Sequence, residues 1–194
     1  MENSSHFQIN DYLKPGRHAH LVGIGGVSMR PLGLVLRSMG MQISGSDMNA
    51  SVSTDELIAK GIAVSIGHRA ENIEGADCVI RTAAANNDNP EIAAARAAGI
   101  PIFERAQAWG YIMRAYRHAI CVSGTHGKTT TTSMLTQIFM EAGRDPTVMI
   151  GGSLPLLGAG HRVGQGDTII LESCEYCNSF LNFFPTTAVV LDVD

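Results

Sequence analysis

Ser123-Gly124-Thr125-His126-Gly127-Lys128-Thr129-Thr130-Thr131 is the stretch whose reading decides the fold. It follows the short apolar run Ala119-Ile120-Cys121-Val122 and precedes Met134, Leu135, Ile138 and Phe139, which recur at helical spacing. A buried strand, a glycine-punctuated turn and a helix are therefore expected in that order. Gly124 and Gly127 let the backbone turn tightly, so that successive N–H groups at the helix start point at one anion. Lys128 brings a full positive charge to the terminal phosphates of a nucleotide, and the Thr129 hydroxyl is placed to ligate a magnesium ion bridging them. The strict P-loop pattern asks for glycine six positions before the lysine, where this chain has Val122. The competing reading is a glycine-rich strand–helix connection with a solvated lysine.

A second glycine loop lies near the start. His20-Leu21-Val22 runs into Gly23-Ile24-Gly25-Gly26-Val27-Ser28-Met29, and Leu32, Leu34, Val35 and Leu36 continue as a helical pattern. This is the first turn of a dinucleotide-type fold, with Ser28 where the fingerprint has its third glycine. The next strand, Gln42 to Ser46, ends in Asp47, 22 residues beyond Gly25 and well placed to accept hydrogen bonds from ribose hydroxyls. Read structurally instead, Gly25 and Gly26 serve close helix–strand packing and Asp47 caps a turn. Two phosphate loops about a hundred residues apart imply two nucleotide-like ligands on two domains.

On these residues the chain resembles the N-terminal part of the Mur ligase family. The matching segments are Gly23 to Gly26 with Met29, Ser44 to Asp47, Gly67-His68 with Asn72, Asn89-Pro90-Glu91, Gly124 to Thr132, Ile150-Gly151-Gly152, and Glu172 to Phe180. The variant loop G-T-x-G-K-[ST] is the form this family uses. His126 and the early glycine loop resemble the branch that joins L-alanine to UDP-N-acetylmuramate in peptidoglycan precursor synthesis. The resemblance implies an ATP- and Mg2+-dependent ligase acting through an acyl-phosphate. Two other readings remain: a ligase that recycles peptides onto the same nucleotide sugar, and a non-catalytic UDP-sugar-binding protein.

Carried over by resemblance, Gly23, Ile24, Gly25, Gly26, Val27, Ser28 and Met29 hold the UDP diphosphate, with Asp47 and His68 nearby. Gly124, Thr125, His126, Gly127, Lys128, Thr129 and Thr130 hold ATP, and Lys128 stabilises the transferring phosphoryl group. Thr129, Glu172 and then Glu175 are the metal candidates, Glu172 standing at the C-terminal end of the strand Thr168-Ile169-Ile170-Leu171. The chain reads Glu172-Ser173-Cys174-Glu175-Tyr176-Cys177 where the family reads Glu-Ala-Asp-Glu-Ser-Asp. Cys174 and Cys177 have the spacing of half a zinc site, but Cys78 and Cys121 stand alone on core strands. His126 either touches a ligand or fills the turn. Arg105 could reach a sugar or diphosphate, though a solvated charge or helix partner is the preferred reading.

Alternating strands and helices along nearly the whole length define an α/β protein. The expected architecture is a Rossmann-like parallel-sheet domain over residues 1–107, followed over 108–194 by the first part of a P-loop ATPase domain. Strands are expected near 19–24, 41–46, 62–66, 77–82 and 100–103, then near 119–123, 147–150, 168–172 and 187–193. The last of these runs to the end with no helix after it. The expectation is therefore an unfinished second domain, a truncated and inactive fragment, with an apolar face open to self-association. No stretch approaches the roughly 20 apolar residues of a membrane span, and the first 18 residues do not read as a signal peptide or anchor. Four cysteines among 194 residues fit a reducing, cytoplasmic setting. A net charge of -4 gives no reason to expect nucleic acid as a partner.

Overall fold

A computed structural model describes residues 7–173 and 176–193. The chain divides into two compact units, Met1–Ala108 and Trp109–Asp194, each built on a five-stranded sheet.

In the first unit, β1 (His18–Val22), β2 (Gln42–Asp47), β3 (Ala63–Ile66), β4 (Cys78–Arg81) and β5 (Ile102–Glu104) are all parallel, in the order β3-β2-β1-β4-β5. Parallel pairing needs a crossover after every strand, and helices α1 (Met29–Ser38), α2 (Val52–Ala59) and α3 (Pro90–Ala97) supply three of them. On one face, Val22 and Val79 pack with Ile73, Ile92 and Ala95. On the other, Gly33 brings α1 so near the sheet that a Cβ there would lie 3.3 Å from Leu21 and 3.6 Å from Ile43. Sequence signals fix the helix starts. Ser51 and Thr54 form a reciprocal capping box on α2, and Asn89 caps α3 ahead of Pro90. α4 (Arg105–Met113) follows β5 directly.

In the second unit, β6 (His118–Ser123), β7 (Thr147–Leu154), β8 (Ala159–Arg162), β9 (Thr168–Glu172) and β10 (Thr187–Val190) are ordered β10-β6-β9-β7-β8, with β8 antiparallel to β7. The sequence reading missed β8, because Ala159-Gly160-His161-Arg162 has no apolar alternation. Close approach makes it possible: a Cβ at Gly160 would sit 2.3 Å from the carbonyl oxygen of Gly152. The last strand is shorter than the expected 187–193, and on it Val190 is exposed.

Helix α5 (Lys128–Glu141) forms where expected but is turned differently. Leu135 and Phe139 pack on the sheet residues Ile120, Val148, Ile150 and Ile170, whereas Met134 and Ile138 are exposed. Thr132 and Thr136 complete the inward stripe. Burying threonine is inexpensive here because each hydroxyl donates to the carbonyl four residues earlier, Thr132 to Lys128 at 2.8 Å and Thr136 to Thr132 at 2.7 Å. Cys78 and Cys121 are buried in β4 and β6, and loss of hydration pushes both thiols up to about 12. Among the described residues no helix is long and apolar enough to cross a membrane.

Candidate functional site

In the first unit the chain moves outward from β1 through β2 to β3, then returns to the far side of β1 for β4. Ligands of open parallel sheets collect where the order reverses, beyond the strands' C-terminal ends. Gly23 follows β1 with φ +80, and the amides of Gly23 and Ile24 both donate to the Ser46 carbonyl, at 2.8 and 2.9 Å. The Gly25 amide donates to Asp47 Oδ2 at 2.9 Å, and a Cβ at Gly25 would lie equally close to that oxygen. The glycine loop is thus clamped to the end of β2, and Asp47 is partly engaged in holding it. A cavity of about 630 Å³ opens there, lined by Gly23, Gly26, Asp47, His68 and Thr82 among others. That volume suits a nucleotide-sized ligand, given the roughly 300–1,000 Å³ of ordinary ligand sites.

The other residues of this loop divide by role. Ile24 and Met29 are buried, so their side chains serve the core and only their backbone belongs to the loop; Val27 is exposed. Ser28, in place of the third glycine, accepts a hydrogen bond from Arg105 Nη1. Arg105, the first residue of α4, is thus not simply a solvated charge: Ser28 holds its guanidinium beside the glycine loop.

Beside the cavity lies a group that the sequence placed in a matching segment but to which it assigned no role. Glu91, in the first turn of α3, is completely buried. Its Oε2 accepts from Ser46 Oγ at 2.6 Å and lies 3.1 Å from His68 Nδ1; its Oε1 accepts from Asn72 Nδ2 and lies 3.8 Å from His20 Nε2. Burial raises the Glu91 pKa, but His20, Ser46 and Asn72 outweigh it and bring the carboxyl down to about 2. Asn-Pro-Glu reads locally as a helix start, which is why its buried partners on β1, β2 and the segment after β3 escaped notice.

In the second unit, β6 ends at Ser123 and the loop turns through Gly124 and Gly127, both at positive φ. Lys128 Nζ donates to the carbonyls of Gly124 and Thr125, which holds the ammonium over the loop. At the end of β9, Glu172 accepts from Thr129 Oγ1 at 3.1 Å on each oxygen and from the Gly151 amide at 2.8 Å. Gly151 lets the carboxylate come close to the strand, since a Cβ there would lie 2.8 Å from Glu172 Oε1 and displace it. A hydroxyl beside a carboxylate is a hard oxygen pair of the kind that holds magnesium when phosphate oxygens and water complete the shell. Glu175, the third metal candidate, and Cys174 lie outside the described residues, as does the side chain of Cys177.

Asp192 was also missed. Its carboxylate accepts from the His126 amide at 3.2 and 3.3 Å and pairs with His126 Nδ1 at 3.4 Å. These bonds, the His126 amide first, lower its pKa. The signal was an acid just beyond a parallel strand: β10 pairs with β6, so the residue after its end meets the loop after β6. His126 therefore has a partner within the protein, while its own side chain is 82% exposed.

Two glycine loops, each beyond the C-terminal ends of parallel strands and the second carrying a lysine and a hydroxyl–carboxylate pair, define an α/β protein with two candidate phosphate-binding loops. The model of the Mur ligase family, catalytic domain, matches residues 18–117, and the chain belongs to that family. It is 46% identical over 185 residues to the UDP-N-acetylmuramate–L-alanine ligase of Clostridium botulinum, covering 95% of this chain and 40% of that one. The ligase of the same name from Acetivibrio thermocellus is 47% identical over 178 residues, 92% of this chain and 38% of its own. The chain thus spans about 40% of the length of the curated relatives it matches. Among solved structures, UDP-N-acetylmuramate-alanine ligase from Thermotoga maritima superposes with TM-score 0.82 at 32% identity, over 89% of this chain and 40% of that one. A UDP-N-acetylmuramate:L-alanyl-gamma-D-glutamyl-meso-diaminopimelate ligase from Neisseria meningitides gives 0.84 at 27% identity, over 92% and 61%.

Proposed function

We propose that this chain carries the UDP-sugar-binding domain and part of the ATP-binding domain of a ligase that joins L-alanine to UDP-N-acetylmuramate in the cytoplasm. The observation that carries the proposal is the pairing of a nucleotide-sized cavity at the first sheet's reversal point with a lysine-bearing phosphate loop on the second sheet. The Gly23–Met29 loop, with Asp47, His68 and Arg105, would take the UDP-sugar. Gly124 to Thr130 would take ATP, with Thr129 and Glu172 holding Mg2+, which draws charge from the phosphates. Lys128, held over the loop, would place its charge where negative charge develops as the terminal phosphoryl group passes to the sugar's carboxylate. The amine of alanine would then attack the acyl carbon of the resulting acyl-phosphate, forming the amide C–N bond as the C–O bond breaks and inorganic phosphate leaves. Sequence similarity favours alanine over a peptide as the second substrate, since relatives at 46% identity are alanine ligases, and among solved structures the alanine ligase stands at 32% against 27% for the peptide ligase.

Calorimetric titration with UDP-N-acetylmuramate, and separately with Mg-ATP, tests the assignment. Saturable UDP-sugar binding that is weakened in Gly25→Asp supports it, and no UDP-sugar binding overturns it.

A further inference from the structure

His68 borders the cavity, and two neighbouring groups determine which of its ring nitrogens carries hydrogen. Nδ1 lies 3.1 Å from Glu91 Oε2 and 3.0 Å from Ser46 Oγ. An ionised carboxylate can only accept, so it requires a hydrogen on Nδ1. The serine could in principle donate, but its single hydrogen is committed to Glu91 Oε2 at 2.6 Å, leaving only lone pairs toward the ring. Both neighbours of Nδ1 are therefore acceptors. Glu91 is itself held by Asn72, whose amide hydrogens go to Oε1 and, at 3.0 Å, to the Gly67 carbonyl. Asn89 caps the same helix end by accepting from the Glu91 and Ile92 amides.

We infer that Glu91 is a positioning residue: the buried carboxylate fixes His68 as the Nδ1–H tautomer, so that Nε2 is the nitrogen the ring offers to the occupant of the cavity. In the neutral ring that nitrogen is an acceptor, suited to a hydroxyl or imide N–H of a nucleoside. The inference rests on the proposed UDP-sugar site for the ligand, but not for the tautomer. Glu91 makes no claim on the ligand itself. Its effect passes through His68, whose ring would otherwise be free to take the opposite tautomer and present a donor.

The test has two arms. Long-range 15N–1H spectra of the ligand-free protein, with His68 identified by its loss in His68→Ala, read the tautomer. Nδ1–H is expected, and a neutral Nε2–H ring overturns the inference whatever the protein binds. The second arm titrates UDP-N-acetylmuramate into wild type, Glu91→Gln, His68→Ala and the double variant. Glutamine keeps the volume but replaces an acceptor with a donor, so affinity should fall about tenfold or more in each single variant, with no further loss in the double variant. Additive losses, or an unchanged Glu91→Gln with altered His68 spectra, overturn it. Failure of wild type to bind the UDP-sugar refutes the proposed function instead, and the tautomer arm still decides the inference. If Glu91→Gln does not fold, Ser46→Ala serves: with Glu91 still in place the Nδ1–H tautomer should persist, and an Nε2–H ring in that variant overturns the inference.

Discussion

Acidifying the protein from pH 7 to pH 3 should selectively weaken the first unit, and Glu91 sets the size of the effect. Its carboxyl titrates at about 2 in the folded protein against 4.5 in an unfolded chain. A depressed folded pKa stabilises above the unfolded value, and the contribution is lost as pH falls through 4.5 toward 2. At about 1.4 kcal/mol per pKa unit, that difference is worth about 3 kcal/mol at pH 7 and about 1 kcal/mol at pH 3. Complete burial of the side chain means that solvent screening does not reduce it much. The assay is amide hydrogen exchange of β1 and β2 peptides in wild type and Glu91→Gln, corrected for intrinsic exchange rates. The stability gap between the two proteins should narrow by about 2 kcal/mol between pH 7 and pH 3. A gap that stays constant or widens over that interval would refute the reasoning, because it would mean that the carboxylate is not held ionised by its partners.

Three further outcomes follow from the geometry. Gly45→Ala would put a Cβ 2.5 Å from Ile24 Cδ1 and 2.7 Å from the Leu21 carbonyl oxygen, so urea unfolding should show a loss of about 1–3 kcal/mol. Asn89→Ala removes the acceptor for two helix-start amides and should cost about 1 kcal/mol in the same assay, while Asn89→Asp should retain most of the stability. Glu172→Gln should reduce the dependence of ATP binding on Mg2+ by about tenfold, leaving metal-free ATP binding nearly unchanged; calorimetry with and without the metal reads this directly.

Where a signal depends on neighbouring residues, the sequence alone determined it. Val22 followed by glycine, and Val122 followed by Ser123-Gly124, mark strands that must turn sharply, and both strands end there. The α/β class, nine of the ten strands among the described residues and the glycine loop before Lys128 were legible because period, glycine placement and helix caps are local properties. Tertiary structure decided what depends on partners far along the chain. Glu91 lies 45 residues from Ser46 and 23 from His68, so no local pattern distinguishes a buried anion from an ordinary charge in the first turn of a helix. Asp192 meets His126 only because β10 lies beside β6. Threonines in α5 read as polar, yet Thr132 and Thr136 face the sheet because helix carbonyls satisfy their hydroxyls, and that choice turned Met134 and Ile138 outward. Local chemistry specified the elements and their loops; burial and hydrogen-bond pairing, which exist only after the strands come together, specified which side chains carry charge and which way each one faces.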